Sequence, residues 1–190
     1  MTVEKEIRFR VDRKTKDKII LSTGSLQDKA AMLDITFGRD GFNSLSKNGY
    51  ICRIRQKPQK LTLEVKKKIP TGWLEQEIPL SRLSDGINYL QLMGMKPYMY
   101  LQRNREVRRY KNLKVFIDEI DVLGDFVEIE YQDSKDAMAE LNEFLALTNL
   151  NFASTEDLYG NIIMNSIESN PAFRAAYNKG LTHTIDTYVK

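Results

Sequence analysis

The chain has 190 residues, 42% of them apolar and 29% charged, which suits one folded domain with its own core. Its net charge of +3 comes from 29 basic and 26 acidic side chains, a balance that argues against nonspecific nucleic-acid binding. No segment has the roughly twenty consecutive apolar residues of a membrane helix. The single cysteine, Cys52, excludes an internal disulfide, and the single histidine, His183, argues against a histidine-based triad. We therefore expect a cytoplasmic protein without membrane or nucleic-acid partners.

Hydrophobic periodicity and turn residues predict seven or eight strands with three or four helices between them. Strands are predicted, in chain order, at 2–11, 34–37, 50–56, 61–67, 73–80, 99–109, 113–120 and 126–131. Helices are predicted at 13–22 with a continuation at 25–33, at 81–93, at 134–147 and at 156–168. Ser134 is the expected N-cap of the third of these helices, and Gly94 the end of the second. Residues 171–190 are too weakly patterned for an assignment.

Charged residues occupy every second position in most of the predicted strands. Because alternate side chains of a strand lie on one face, each such strand has a charged face. The residues between the charges, such as Phe9, Ile54 and Ile129, give the opposite face an apolar character. The six charged stretches are Glu4-Glu6-Arg8, Arg53-Arg55, Glu64-Lys66, Glu75-Glu77, Arg103-Arg105 and Glu128-Glu130.

This two-faced pattern predicts an α+β fold. Helices must cover the apolar face, while a densely charged face repeated so often suggests an enclosed surface rather than a solvated one. An antiparallel sheet that is closed or nearly closed into a barrel meets both demands, with helices packed outside and a charged lumen inside. Closure also removes exposed strand edges.

The charges on this face suit a site for a metal ion and a triphosphate. Carboxylates offer the oxygen ligands that Mg²⁺ and Mn²⁺ prefer, and arginine forks suit phosphate oxygens. Plain cross-strand salt bridges are the alternative explanation. Like charges repeat within the Glu-x-Glu and Arg-x-Arg motifs, and such neighbours repel unless an ion of opposite sign lies between them. This repetition favours the binding site.

Four segments resemble a known family. The opening VEKEIRFRV (3–11) resembles the N-terminal Glu-x-Glu-x-Lys signature of the CYTH family, also called triphosphate tunnel metalloenzymes. The segments LQRNREVRRY (101–110) and VFIDEIDVLGDFVEIE (115–130) are similar to the second half of that family, the latter especially to its class IV adenylyl cyclase branch. STEDLYGNII (154–163) loosely resembles the closing helix of the family. The resemblance implies a triphosphate tunnel domain at 1–164 and leaves 165–190 as an extension of unknown role.

The resemblance also implies roles for individual residues. The implied ligands of Mg²⁺ or Mn²⁺ are Glu4, Glu6, Asp118, Glu128 and Glu130. The implied substrate-binding residues are Arg8, Arg53, Arg55, Lys66, Glu75, Glu77, Arg103 and Arg105. The implied catalytic residues are Asp118, Glu6 and Arg105. Arg8 stands where the family signature has lysine, and the family lysine of a later strand corresponds to Lys66 or, in a shorter hairpin, to Glu64.

The implied activity is a metal-dependent reaction of a triphosphate. The segment 113–130 favours an adenylyl cyclase that converts ATP to cyclic AMP and pyrophosphate. Two alternatives stay open: a triphosphatase acting on inorganic triphosphate, thiamine triphosphate or a nucleoside triphosphate, and a non-catalytic sensor of polyphosphate or nucleotide. The expected partner is ATP or another triphosphate, and a homodimer is compatible with the sequence.

Overall fold

A computed structural model describes residues 4–44, 49–70, 72–132, 134–156 and 158–189. These residues form an antiparallel sheet of eight strands together with five α-helices. The strands are β1 (Glu4–Arg10), β2 (Asp28–Gly38), β3 (Tyr50–Lys57), β4 (Lys60–Ile69), β5 (Gly72–Pro79), β6 (Lys96–Tyr110), β7 (Leu113–Ile120) and β8 (Gly124–Gln132). The helices are α1 (Arg13–Ser22), α2 (Leu83–Leu92), α3 (Lys135–Thr148), α4 (Tyr159–Ser169) and α5 (Pro171–Val189). The α+β class and the antiparallel sheet predicted from the sequence are confirmed.

The chain divides into two compact units. Unit 1 comprises the described residues of 1–31 and 103–157, and unit 2 those of 32–102 and 158–190. The strand order is β1-β8-β7-β6 in unit 1 and β2-β3-β4-β5 in unit 2. Residues 165–190 belong to unit 2, and the predicted domain boundary after residue 164 stays a prediction.

The core of unit 1 lies between its strands and the helices α1 and α3. Phe9, Val127 and Ile129 are fully buried and pack with Leu141 and Phe144 of α3. Helix α3 begins at the predicted cap, where Ser134 Oγ accepts a hydrogen bond from the Ala137 amide at 3.2 Å. Since the buried apolar residues occupy one face of β1 and β8, the alternating charged residues lie on the other.

In unit 2, helix α2 packs on strand β3. A Cβ atom on Gly86 of α2 would lie 2.9 Å from the Ile54 side chain and 2.6 Å from that of Leu80, so a larger residue there would require the ends of these two side chains to shift. Ile54 and Ile87 are fully buried there. Cys52 is also buried on this face of β3, and burial raises the pKa of its thiol to about 11.

The C-terminal helix α5 has no counterpart in the sequence prediction. Tyr177 of α5 is 1% exposed, and its hydroxyl accepts a hydrogen bond from the Tyr100 amide at 2.9 Å. The same hydroxyl donates to the Tyr100 carbonyl at 2.6 Å, and the two rings stack at 4.9 Å. These contacts attach α5 to strand β6 within unit 2.

The helix predicted at 25–33 is wrong, because Asp28–Gly38 forms strand β2. Ala30, Ala31, Met32 and Leu33 favour helices by intrinsic propensity, but pairing within the sheet overrides that preference. From Met32 to Gly38 every residue of β2 is buried, and polar residues alternate with apolar ones only at 34–37, the part for which the sequence predicts a strand. Among the described residues, no helix combines the length and apolar character needed to cross a membrane.

Candidate functional site

Each unit has a group of ion-paired arginines and acids on its strands, all of them buried or partly buried. We call the group in unit 1 the first cluster; its members are Arg8, Arg103, Arg105, Asp118 and Glu128. The group in unit 2 is the second cluster; its members are Asp34, Arg53, Arg55 and Glu64. Charges buried to this extent are costly to desolvate unless they are paired, so the pairing decides what each cluster can do.

Strand pairing places the members of the first cluster opposite one another. Arg8 of β1 faces Glu128 of β8, and its Nε and Nη2 donate to Glu128 Oε1 at 2.9 and 2.5 Å. Arg105 of β6 faces Asp118 of β7, and its Nε and Nη2 donate to the two carboxylate oxygens at 2.7 and 2.5 Å. Arg103 Nη1 donates to Asp118 Oδ2 at 3.3 Å, and Arg105 also donates to Glu128. Three guanidinium groups are therefore held by two carboxylates.

Glu128 is ionised because of this arrangement. Burial alone raises the pKa of its carboxyl, but the charges of Arg105, Arg8 and Arg103 outweigh it and hold that pKa far below its usual range. The guanidinium group of Arg105 also lies over the Phe116 ring, 4.4 Å from its centre. The Glu128 carboxylate thus keeps its charge at any pH near neutrality.

Glu6 and Glu130 lie at the edge of the first cluster and face each other across the β1–β8 pair. The Glu6 side chain is 45% exposed and lies 3.6 Å from Arg8 Nη2, while Glu130 accepts from Lys114 at 3.2 Å. Carboxylates that face each other repel, and a divalent cation relieves that repulsion. The oxygen-only donors fit Mg²⁺ or Mn²⁺. Glu4 lies opposite Gln132 in the same pair, and its side chain is outside the described part of the structure.

Like the first cluster, the second cluster combines an Arg-x-Arg motif with one aspartate and one glutamate. Arg55 of β3 faces Asp34 of β2, and Arg53 of β3 faces both Thr36 of β2 and Glu64 of β4. Asp34 and Glu64 are each 1% exposed. Arg53 Nε donates to Glu64 Oε2 at 2.7 Å, and Arg55 Nε donates to Asp34 Oδ1 at 2.7 Å.

Further charged residues continue across β4 and β5 beside the second cluster. Lys66 pairs with Glu75 at 2.9 Å, and Lys60 donates to Glu77 and so lowers the pKa of its carboxyl. Carboxylate oxygens of Glu64, Glu75 and Glu77 lie within 4.8 Å of one another, the one such group of three acids found among the described side chains. This oxygen-only set could hold a divalent cation.

The predicted site residues fall into these two neighbourhoods. Arg8, Arg103, Arg105, Asp118 and Glu128 form the first cluster, with Glu6 and Glu130 at its edge. Arg53 and Arg55 belong to the second cluster, with Lys66, Glu75 and Glu77 beside it. Their roles as metal ligands, substrate-binding groups and catalytic groups stay predictions.

Sequence reasoning missed Asp34 and did not assign Glu64 to a cluster of acids. The missed signal was the alternation of Asp34 and Thr36 with buried Ile35 and Phe37, which marks a strand with one polar face. Two positions could correspond to the family lysine, Glu64 and Lys66, and both lie on the same face of β4. Glu64 is buried against Arg53, whereas the Lys66 side chain is 27% exposed.

Comparison with known families and structures gives a consistent result. The family model described as the CYTH domain matches residues 2–154, which is most of the chain. A Pyrococcus horikoshii protein of solved structure aligns with a TM-score of 0.70 at 20% identity, over 86% of this chain and 99% of its own. Comparison with curated proteins gives no significant sequence match.

Two further solved structures have names that mention an activity. A Bacillus halodurans protein named "putative adenylate cyclase" aligns with a TM-score of 0.62 at 24% identity, over 82% of this chain and 94% of its own. A Hippeastrum protein, named a "putative adenylyl cyclase" with "a dominant triphophatase activity", aligns with a TM-score of 0.59 at 14% identity, over 87% of this chain and 96% of its own. At these identities the likeness shows a shared fold.

Proposed function

Because the chain belongs to the CYTH domain family, we propose that it is a divalent-metal-dependent enzyme that converts ATP to cyclic AMP and pyrophosphate. The observation that supports a triphosphate substrate is the first cluster, in which Arg8 and Arg103 are buried and Arg105 is only 13% exposed. Guanidinium groups held in fixed positions suit phosphate oxygens, which they bind with parallel hydrogen bonds. The resemblance of segment 113–130 to the class IV branch supports the cyclase in particular.

The proposed metal ligands are Glu4, Glu6, Asp118, Glu128 and Glu130, and the proposed ion is Mg²⁺ or Mn²⁺. Such an ion supplies positive charge that neutralises phosphate oxygens and makes the phosphorus more open to attack. The opposed carboxylates of Glu6 and Glu130 support this assignment, since they offer oxygen ligands on one face of two paired strands.

The residues proposed to bind phosphate, as the family resemblance implies, are Arg8, Arg53, Arg55, Lys66, Arg103 and Arg105. Glu75 and Glu77 complete the proposed substrate-binding set.

In the reaction, the ribose 3′ oxygen forms a bond to the α-phosphorus, and the bond from that phosphorus to the pyrophosphate oxygen breaks. Arg105 stabilises the charge that develops on the leaving pyrophosphate. Asp118 orients the 3′ hydroxyl, whose proton is released to water.

A triphosphatase is the second candidate. The name of the structurally similar Hippeastrum protein favours it, because that name gives triphosphatase as the dominant activity. Attack by water on the γ-phosphorus would use the same arginines and acids and would release orthophosphate. Inorganic triphosphate, thiamine triphosphate and nucleoside triphosphates are the candidate substrates for this reaction.

Product analysis separates the candidates. The purified protein is incubated with ATP and with Mg²⁺ or Mn²⁺, and the products are resolved by chromatography. Cyclic AMP with pyrophosphate identifies a cyclase, whereas ADP with orthophosphate identifies a triphosphatase; chelation with EDTA should stop either reaction. Binding of triphosphate without turnover would identify a sensor, and absence of both binding and turnover would refute the proposal.

A further inference from the structure

Asp34 is a buried acid of the second cluster to which none of the roles above is assigned. It lies on β2 directly opposite Arg55 and is 1% exposed. Its Oδ1 accepts from Arg55 Nε at 2.7 Å, and its Oδ2 accepts from Arg55 Nη2 at 2.8 Å. Two parallel hydrogen bonds between the same two groups fix both the position and the plane of the guanidinium group.

Glu64 completes a closed ring with Asp34 and the two arginines. Glu64 Oε2 lies 2.7 Å from Arg53 Nη2 and 3.3 Å from Arg55 Nη1. Asp34 Oδ2 lies 3.7 Å from Arg53 Nη1. Each acid therefore contacts both arginines, and Thr62 Oγ1 lies 3.3 Å from Glu64 Oε1. A ring of this kind restrains the rotamers of its members more than a single ion pair does.

We propose that Asp34 is a positioning residue that holds the Arg55 guanidinium group in the orientation for phosphate binding, an inference that rests on the proposed function. A buried carboxylate beside a phosphate-binding arginine also subtracts positive charge. Positioning of Arg55 strengthens phosphate binding, whereas neutralisation of its charge weakens it. If Asp34 only neutralised charge, its removal would strengthen binding of a polyanion; if Asp34 positions Arg55, its removal weakens binding although the cluster becomes more positive.

The first experiment measures whether removal of the Asp34 charge weakens or strengthens the binding of triphosphate. Asp34→Asn keeps the shape of the side chain and removes its charge, and the dissociation constant for inorganic triphosphate with Mg²⁺ is measured by calorimetry. We expect that constant to rise about tenfold. The matched control is Asp85→Asn, the same change in unit 2 at a side chain that is 51% exposed and pairs with Arg82; it should bind as the wild type does. An unchanged or lower dissociation constant for Asp34→Asn overturns the inference.

The second experiment needs no ligand and separates this inference from the proposed function. By NMR, the Hε proton of Arg55 in the wild type should exchange with water much more slowly than that of Arg13, whose side chain is 77% exposed. In Asp34→Asn the Arg55 proton should exchange faster while thermal unfolding stays cooperative. The positioning role is refuted if the Arg55 Hε proton of the wild type exchanges as fast as that of Arg13. It is also refuted if the exchange rate of the Arg55 proton is the same in Asp34→Asn as in the wild type. If the wild type binds no triphosphate, the proposed function fails while the exchange result still decides whether Asp34 fixes Arg55.

Discussion

At the scale of single residues, the identities of the charged groups could be predicted but most of their partners could not. Alternation in the sequence places Arg8, Arg105 and Glu128 on charged strand faces whatever the strand order. The pairing of Arg8 with Glu128 joins residues 120 positions apart and depends on β1 lying next to β8, which no local signal specifies. The pairing of Arg105 with Asp118 is different, because the β6–β7 hairpin brings them together and its turn at Lys111 and Asn112 fixes the register.

Glu6 is the residue at which the metal assignment is most directly tested. The Glu6→Ala variant should lose metal-dependent turnover by about two orders of magnitude or more, because a proposed ligand is removed. Its thermal unfolding should match the wild type, since the Glu6 side chain is 45% exposed. Steady-state assays at several Mg²⁺ or Mn²⁺ concentrations give the comparison. Glu143→Ala on α3, also about half exposed, is the control and should keep full activity; a wild-type rate in Glu6→Ala would disprove the assignment.

The ion pairs of Glu128 should make the stability of the protein depend on pH. Its folded-state pKa is depressed, so its contribution to stability is present above the unfolded-state pKa of about 4.3 and is lost as the pH falls below that value. Glu128→Gln should lower the free energy of unfolding at pH 7 by about 3 kcal/mol, because the guanidinium groups of Arg8 and Arg105 lose a buried counter-charge.

Urea unfolding at pH 7 and at pH 3.5 checks this prediction. The difference between wild type and Glu128→Gln should shrink at the lower pH, since at pH 3.5 the Glu128 carboxyl of the unfolded wild-type chain binds a proton that the folded protein does not, and this stabilises the unfolded state of the wild type alone. Glu168→Gln, at an exposed position of α4, serves as the control and should resemble the wild type at both pH values. A difference that is equal at the two pH values would contradict the electrostatic explanation.

At the scale of elements, the accuracy of prediction followed the regularity of each pattern. Strands β1, β3, β4 and β7 alternate in polarity and are predicted from the sequence, whereas β2 is buried along most of its length and only its part at 34–37 is predicted. Helix α5 was missed because its inward positions are Phe173, Tyr177, Gly180 and Thr184. Their spacing of three and four residues is helical, but Gly180 and Thr184 contribute no apolar signal. Gly180 is required there, because a Cβ atom would lie 2.1 Å from the Tyr100 hydroxyl.

The docking of α5 depends on one hydroxyl group. Tyr177→Phe keeps the stacked ring but removes both hydrogen bonds to the Tyr100 backbone, so we expect the free energy of unfolding to fall by about 1–3 kcal/mol. Urea denaturation followed by circular dichroism measures the change. Tyr89→Phe on α2, where the ring is 57% exposed, should alter stability by no more than about 0.5 kcal/mol. Equal stability of the two variants would mean that the Tyr177 hydroxyl does not hold α5 in place.

At the scale of the whole molecule, the family and the fold class could be predicted because ordered charged motifs extend over most of the chain, and the matched range 2–154 agrees with that extent. The division into two compact units could not be predicted from the sequence, because each unit combines segments that are distant in the chain. Unit 1 joins 1–31 with 103–157, so its core depends on long-range pairing rather than on any local feature.

Ligand binding should raise the stability of the whole protein. Inorganic triphosphate with Mg²⁺ at a hundred times its dissociation constant should stabilise the fold by about 2.7 kcal/mol, which for a chain of this length corresponds to a rise in Tm of about 5–10 °C. Differential scanning fluorimetry measures the shift. Mg²⁺ alone and triphosphate alone should each give a smaller shift, and Glu6→Ala should show little difference between triphosphate with and without Mg²⁺. Equal shifts with and without Mg²⁺ in the wild type would argue against a metal-dependent complex.

The buried position of Cys52 has a practical consequence. It is the sole thiol of the chain, so a thiol-reactive dye has one target. Because that sulfur is enclosed and holds its proton at neutral pH, modification must wait until unit 2 opens. The rate of dye attachment at graded urea concentrations therefore measures how often unit 2 opens by local or global unfolding, without any engineered label.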